Sequence, residues 1–231
     1  MLTKHLIGSF LAVWLLLPGS AALRGQVAEK ANAGYRTKED RARVALNLDS
    51  SDRAEHQKPR ELLASLGIQP GETVADIGAG VGFMLPYLVE AVGPGGAVFA
   101  QEIQSDFLAK VEKKISKEGW QNVTTVLGAE RDVMLPKKSL DWAFILDVYH
   151  HFDYPHETMA SVRRALKTGG KLAVIDFYRS REHPRMSAER LQQHIRLDRD
   201  EFASEIESAG FRLVRKFDHL PHQYVLVFDK E

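Results

Sequence analysis

The chain has 231 residues, 44% hydrophobic and 27% charged, which is enough apolar material for a sizeable core and too much for bulk disorder. Its 31 basic and 31 acidic side chains balance to a formal net charge of +0, so no electrostatic argument makes nucleic acid a main partner. Cysteine is absent, which excludes disulfides, cysteine-ligated metals, a cysteine nucleophile and a lipid-modified cysteine anchor.

Residues 1–22 read as a secretory signal peptide. Lys4 and His5 give a weak basic start, residues 6–17 an apolar run, Pro18-Gly19 a break, and Ser20-Ala21-Ala22 small residues for cleavage. The apolar run falls short of the ~20 residues a spanning helix needs. Export to the periplasm or medium is therefore expected. The alternative is an uncleaved membrane anchor, and membrane contact is expected only in that case. Residues 23–36 read as a flexible mature end, and residues 38–48 as a charged helix with Val44, Ala45 and Leu48 on one face. Pro59 opens and Gly67 closes the next helix, the usual punctuation. The extension 23–58 thus leads into a domain over 59–231.

From Pro70-Gly71 onward, strands and helices alternate. Val74-Ala75-Asp76-Ile77-Gly78-Ala79-Gly80-Val81-Gly82 is a short apolar strand carrying an acid into three alternating glycines. Glycines there let the backbone turn sharply and approach a ligand, and the following helix presents free N–H groups to it. The dinucleotide pattern G-x-G-x-x-G is not met: its third glycine falls on Phe83 counted from Gly78, and on Leu85 counted from Gly80. A helix begins near Phe83 with Pro86 in its first turn. Gly93-Pro94-Gly95-Gly96 turns into a strand over 97–100 that closes on Gln101 and Glu102. Ser105 reads as the N-cap of a helix with Leu108, Val111 and Ile115 on one face, ending near Gly119.

Residues 123–127 form a third strand before the loop Gly128-Ala129-Glu130-Arg131-Asp132. The apolar run in 141–146 delivers Asp147, Tyr149, His150 and His151 to its carboxyl end. A helix with Met159, Val162 and Leu166 ends at Gly169-Gly170, and a fifth strand over 171–175 closes on Asp176. Asp198 and Glu201 form a capping pair for a helix with Phe202, Ile206 and Ala209 inward, stopped by Gly210. Residues 211–217 and 224–228 read as two strands joined by a short turn at Leu220-Pro221-His222. Repeated strand–helix units imply a parallel sheet with right-handed crossovers; two consecutive strands at the end imply an antiparallel hairpin. The fold class is α/β, a three-layer doubly wound Rossmann-like sheet.

The pattern D-x-G-x-G-x-G over 76–82 resembles motif I of the class I S-adenosylmethionine (SAM)-dependent methyltransferases. Glu102, the 128–132 loop and the 141–151 segment fall where that family keeps its further motifs, and the resemblance covers roughly residues 57–229. It implies seven strands in the order 3-2-1-4-5-7-6 with a C-terminal antiparallel hairpin, SAM as cofactor, and methyl transfer to a small-molecule acceptor. It places Asp76, Gly78, Ala79, Gly80 and Gly82 at the cofactor. It gives Glu102 the ribose hydroxyls, with Ile103 beside it, and Glu130 or Asp132 the adenine amino group. Asp147 completes the cofactor set. The Asn/Asp-Pro-Pro-Tyr motif of DNA amino-methyltransferases is missing, and the chain looks closer to the small-molecule branch that includes quinone-biosynthesis enzymes. The rival expectation is an exported, non-catalytic SAM- or nucleoside-binding protein of the same fold.

A histidine with a pKa near ~6.5 suits a phenol or enol acceptor. His150 is expected to do chemistry and His151 to hold structure, with Tyr149 either lining the acceptor pocket or in the core. His194 and His222 fall on the rim. No i, i+4 His/carboxylate spacing announces a metal, so none is expected. The stretches 23–58 and 177–197 stand outside the repeating scheme and are expected to cover the carboxyl edge of the sheet as a lid. The sequence sets no oligomeric state.

Overall fold

The computed structural model describes residues 27–231; the expected signal peptide lies outside them. Seven strands form one sheet: β1 (Thr73–Ile77), β2 (Ala97–Glu102), β3 (Val123–Leu127), β4 (Leu140–Leu146), β5 (Leu166–Phe177), β6 (Phe211–Phe217) and β7 (Gln223–Lys230). Their order is β3-β2-β1-β4-β5-β7-β6, as the resemblance implied. β1 pairs in parallel with β2 (Val74 with Val98, Asp76 with Ala100) and with β4 (Asp76 with Phe144). β7 runs antiparallel to both β5 and β6, closing the sheet with the expected hairpin.

The central strands are apolar on both faces because helices cover both faces. In β4, Leu140, Trp142, Ala143, Phe144, Ile145 and Leu146 are all buried. One core layer packs Ile145, Val174 and Leu226 against Met159, Val162 and Phe202. The other packs Val74, Val98 and Phe144 against Leu62, Leu66, Leu85 and Leu88. Each such aliphatic side chain contributes about 1.5–3 kcal/mol on burial. The helices are α1 (Lys38–Leu48), α2 (Arg53–Gln57), α3 (Pro59–Leu66), α4 (Leu85–Val92), α5 (Ser105–Glu118), α6 (Pro155–Ala165), α7 (Ala188–His194) and α8 (Arg199–Glu207).

Three local expectations are corrected. Ser105 is not the cap of α5 but its first residue; Gln104 holds the cap position and makes no side-chain cap bond. The Glu102 carboxylate accepts from the Ile103 and Gln104 N–H groups just ahead of the helix, so the strand-end acid satisfies donors a serine cap would not reach. β5 starts at Leu166, not Lys171: α6 stops at Ala165, and the strand runs through Gly169-Gly170 with a register shift against β4 between Leu140 and Trp142. The segment before α1 is not a loose end over its described part. Ala28 N–H and Asn32 Nδ2 donate to the two oxygens of Asp153, and a 3₁₀ turn spans Ala31–Tyr35. The Asp198–Glu201 capping box of α8 forms as read.

The strand order reverses between β1 and β4. A crevice must open there, because crossovers from the two strands leave on opposite faces of the sheet. Everything below sits at the carboxyl ends of those two strands.

Candidate functional site

A cavity of about 600 Å³ opens at this reversal, bounded by the ends of β1, β2 and β4 and roofed by the N-terminal segment and the stretch after β5. At its floor the turn after β1 is made by glycines in the left-handed region. Gly78 has φ +73°, and a Cβ there would lie 2.4 Å from Val148 Cγ1. Gly80 has φ +57°, a conformation that β-branched residues avoid. These two positions require glycine by conformation, and at Gly78 by space as well. Gly78 and Ala79 both donate backbone N–H to the Gln101 carbonyl, fixing the turn to the end of β2.

Glu102 is buried and accepts three backbone N–H groups: Gly80 at 2.9 Å on one oxygen, Ile103 at 2.7 Å and Gln104 at 3.0 Å on the other. It thereby locks the glycine turn to β2 and still has lone pairs left for hydroxyl donors. Burial pushes its pKa up and the three N–H bonds pull it down, the burial effect being larger. Gly78, Ala79, Gly80, Glu102 and Ile103 all face the cavity. Gly82 does not; it turns the chain, and its carbonyl accepts from Lys114. Asp76 also lies off the cavity wall, fully buried in the sheet, and reaches the cavity through its charge. Burial raises its pKa to about 7, against the lowering influence of Arg53.

Of the two acids in the 128–132 loop, Glu130 lines the cavity. Asp132 does not: its carboxylate pairs with Arg164 at 2.7 Å and accepts the Met134 N–H at 2.9 Å. The antiparallel bridge between Ala129 and Asp132 folds the loop back on itself and turns Asp132 outward.

Beyond β4 the site changes character. Asp147 takes a left-handed conformation, φ +57°, uncommon for a residue with a side chain. Gln57 of α2 and Gln223 of β7 donate to its two oxygens, and Arg53 lies 3.8 Å away. Burial raises its pKa to about 6, again opposed by Arg53. Gln223 arrives because β7 is reversed: its first residue pairs with Phe177, at the carboxyl end of β5. Arg53, Gln57 and Gln223 were missed by the sequence reading. Their only signal was position at the ends of elements: Arg53 and Gln57 open and close α2, and Gln223 opens β7.

A 3₁₀ turn, Tyr149–His151, follows and sends its three side chains different ways. Tyr149 is not a pocket residue. It is fully buried in the core, donates to Glu205 at 2.8 Å and packs edge-on against Phe202 at 5.1 Å. That burial and the facing carboxylate push its pKa well above the usual value. His150 and His151 both line the cavity. His150 Nδ1 lies 2.7 Å from Asp176 Oδ1, and its backbone N–H donates to the other oxygen. Asp176, read only as a strand end, is the buried partner that orients the imidazole. His151 Nδ1 lies 2.8 Å from Asn32 Oδ1. His194 Nε2 stands 3.2 Å from His150 Nε2. Burial and the neighbouring imidazoles hold His151 well below its usual pKa and bring His194 to about 4, so both are neutral at physiological pH.

Asp76 and Glu102 are buried carboxylates and Asp147 is a half-buried one; Arg53 acts against the raised pKa of Asp76 and of Asp147. Glu102 offers spare acceptor capacity beside a glycine turn that no Cβ obstructs.

Comparison with known proteins agrees with this geometry. Residues 75–174 match the family model described as a methyltransferase domain. The ubiquinone/menaquinone biosynthesis C-methyltransferase UbiE of Cupriavidus necator is 26% identical over 50% of this chain and 47% of its own. The chain thus spans about half the length of the curated relatives it matches. A SAM-dependent methyltransferase from Aquifex aeolicus superposes with a TM-score of 0.76 at 26% identity, covering 82% of this chain and 98% of its own. The [4+2]-cyclase SpnF shares the fold alone, with a TM-score of 0.61 at 14% identity over 75% of this chain and 80% of its own.

Proposed function

From the methyltransferase-domain match over residues 75–174 and the shared fold, we propose that the chain is a class I SAM-dependent methyltransferase that methylates a small-molecule acceptor by in-line displacement. The observation that carries the reading is a single cavity joining two kinds of site. One end holds the glycine turn and Glu102; the other holds His150 backed by Asp176. When bound, SAM supplies a methyl group on a sulfonium, already attached to a good leaving group. The chain's task is then mostly positioning, which supplies effective molarities of ~10⁵–10⁸ M.

Glu102 binds the ribose hydroxyls, and Glu130 is the acid placed to meet the adenine amino group. Asp147, with Arg53, Gln57 and Gln223 holding it, shapes the passage between the two ends. At the acceptor end Asp176 keeps the proton of His150 on Nδ1, leaving Nε2 with a lone pair on the cavity wall, where His194 Nε2 meets it at 3.2 Å until an acceptor displaces that contact. That nitrogen takes the proton of an acceptor hydroxyl as the methyl bond forms at the hydroxyl oxygen or at its conjugate carbon. A phenol or enol matches this base. The roof, from the N-terminal segment and the stretch after β5, excludes water from the exchange.

S-adenosylhomocysteine should raise the melting temperature of the purified chain, and NAD(H) should not. A ligand at 100 times its Kd stabilises by about 2.7 kcal/mol, a shift easily measured. No shift with either SAM or its product would remove the cofactor assignment.

A further inference from the structure

Six of the nine histidines in the sequence line this one cavity, a concentration that a general base alone does not need. Three of them converge. One ligand nitrogen from each of His150, His151 and His194 lies within 4.8 Å of the others. We propose that these three imidazoles form a binding site for one divalent transition-metal ion of the zinc type, with a fourth position open to the acceptor half of the cavity.

The hydrogen bonds behind the imidazoles settle which nitrogens are free. Asp176 already accepts the backbone N–H groups of His150 and Phe177, and a carboxylate has no proton to give, so His150 Nδ1 is the donor in the third bond and Nε2 is left with its lone pair. The amide of Asn32 is fixed in the same way. Its Nδ2 donates to the His151 carbonyl and to Asp153 Oδ2, both acceptors, each at 3.0 Å. Its Oδ1 must then accept, so His151 Nδ1 carries the proton and Nε2 is free. An imidazole whose outer N–H is held by a carboxylate or carbonyl while the inner nitrogen faces a cavity is the arrangement found behind metal-ligating histidines.

The spacing agrees. Two nitrogens bound to zinc at ~2.0–2.1 Å with tetrahedral angles stand roughly 3.3 Å apart. The Nε2 atoms of His150 and His194 are 3.2 Å apart. The third nitrogen, from His151, lies within 4.8 Å of the other two, so closing the set to the tetrahedral spacing takes a shift of about 1.5 Å at most. Asp176 behind His150 supplies negative charge to offset Arg190 near His194. All three residues face the cavity, and a fourth protein ligand is lacking among the described residues of this cluster, which is the form of an open rather than a structural zinc site.

The proposal stands apart from the methyl-transfer reading, since it rests on the imidazoles and their partners alone. The two readings meet at His150 Nε2, which holds either an ion or an acceptor proton. With the ion bound, a coordinated acceptor hydroxyl is acidified directly.

The test uses the full chain without an affinity tag, stripped with a chelator and titrated with Zn²⁺ against a chromophoric competitor. One equivalent should bind, and Co²⁺ in its place should give the intense visible bands of a four- or five-coordinate ion. His194→Ala and His151→Ala should each abolish stoichiometric binding. Asn32→Ala, which keeps every ligand, should weaken it by about 10–100-fold. S-adenosylhomocysteine binding and the melting temperature of metal-free His194→Ala should match the parent, which separates loss of a ligand from loss of the fold or of the cofactor site. Failure to bind Zn²⁺ or Co²⁺, or equal affinity in the parent and both histidine variants, overturns the proposal.

Discussion

The two ends of the cavity are assembled from different ranges of the chain. At the cofactor end, Glu102 bonds to Gly80, Ile103 and Gln104, partners 22, 1 and 2 residues away. At the histidine end, His151 reaches Asn32 across 119 residues, and His150 meets His194 across 44. One end is a local motif carried on strand ends; the other exists only once distant segments have docked. The first should tolerate change in the roof, and the second should be replaceable without loss of cofactor. Mutations therefore ought to separate cleanly into those that alter affinity for the cofactor and those that alter the chemistry.

The largest separation is expected at His150. His150→Ala in metal-free protein should lower kcat by about 10²–10⁴, the usual scale for a general base, with S-adenosylhomocysteine affinity nearly unchanged. Single-turnover kinetics with a working acceptor, beside calorimetry, read both quantities. Equal activity in parent and variant would mean that positioning alone drives transfer, and a large fall in cofactor affinity would mean the two ends are not separable.

Glu102→Ala should show the opposite pattern. It should weaken SAM binding by about 1.5–3 kcal/mol, the range for hydrogen bonds to a charged group, as measured by calorimetry. Unchanged affinity would take the ribose contact away from Glu102.

A smaller effect is expected from pH. Asp76 and Asp147 have folded pKa values raised to about 7 and about 6 from 3.8. Between pH 4 and 7 the folded chain therefore holds more protons than the unfolded chain, and linkage makes these groups' contribution to stability fall as pH rises through that window. The fall should be at least about 1–2 kcal/mol, since a difference of one in pKa is worth about 1.4 kcal/mol. Denaturant unfolding from pH 4 to 8 measures it, and SAM should flatten the slope because its positive charge favours the ionised carboxylates. A slope of opposite sign in the unliganded chain would contradict the acidic character assigned to the cofactor end.

The smallest effect tests the roof. Arg185 bonds to the Asn47 carbonyl, to Ser50 and to Asp52, tying the stretch after β5 to the corner between α1 and α2. The pair with Asp52 is partly exposed, so Arg185→Ala should cost under about 1 kcal/mol of stability while raising the acceptor KM. A matching rise in the Kd for S-adenosylhomocysteine would show that the roof belongs to both ends rather than to one.

The contrast between the ends also explains what could be read beforehand. Gly78, Ala79, Gly80 and Glu102 were legible because a tight turn needs particular residues at particular offsets, and the offsets are short. The βα alternation was legible for the same reason: a strand buried on both faces must be apolar throughout, as the run in 142–146 is, and helix punctuation lies within a turn of each end. Asp132 and Tyr149 were left open because a polar residue near a strand end carries no mark of its direction. A loop that folds back turned Asp132 outward, and one step along a 3₁₀ turn sent Tyr149 into the core while His150 stayed at the cavity. Asp176, Asn32, Arg53 and Gln223 were passed over because each becomes functional only through a partner far away in sequence.

The sequence by itself determined the α/β class, the alternation of strands and helices with its closing hairpin, and the glycine turn after β1, while the strand order came from the family resemblance. The first three follow from period, spacing and backbone sterics, all of them short-range. The tertiary structure alone decided the direction of each side chain after β4, the proton positions on His150 and His151, and the meeting of three imidazoles. Those depend on which segments dock over the sheet's carboxyl edge, and docking is governed by burial and hydrogen-bond satisfaction summed over distant residues, which no local pattern encodes.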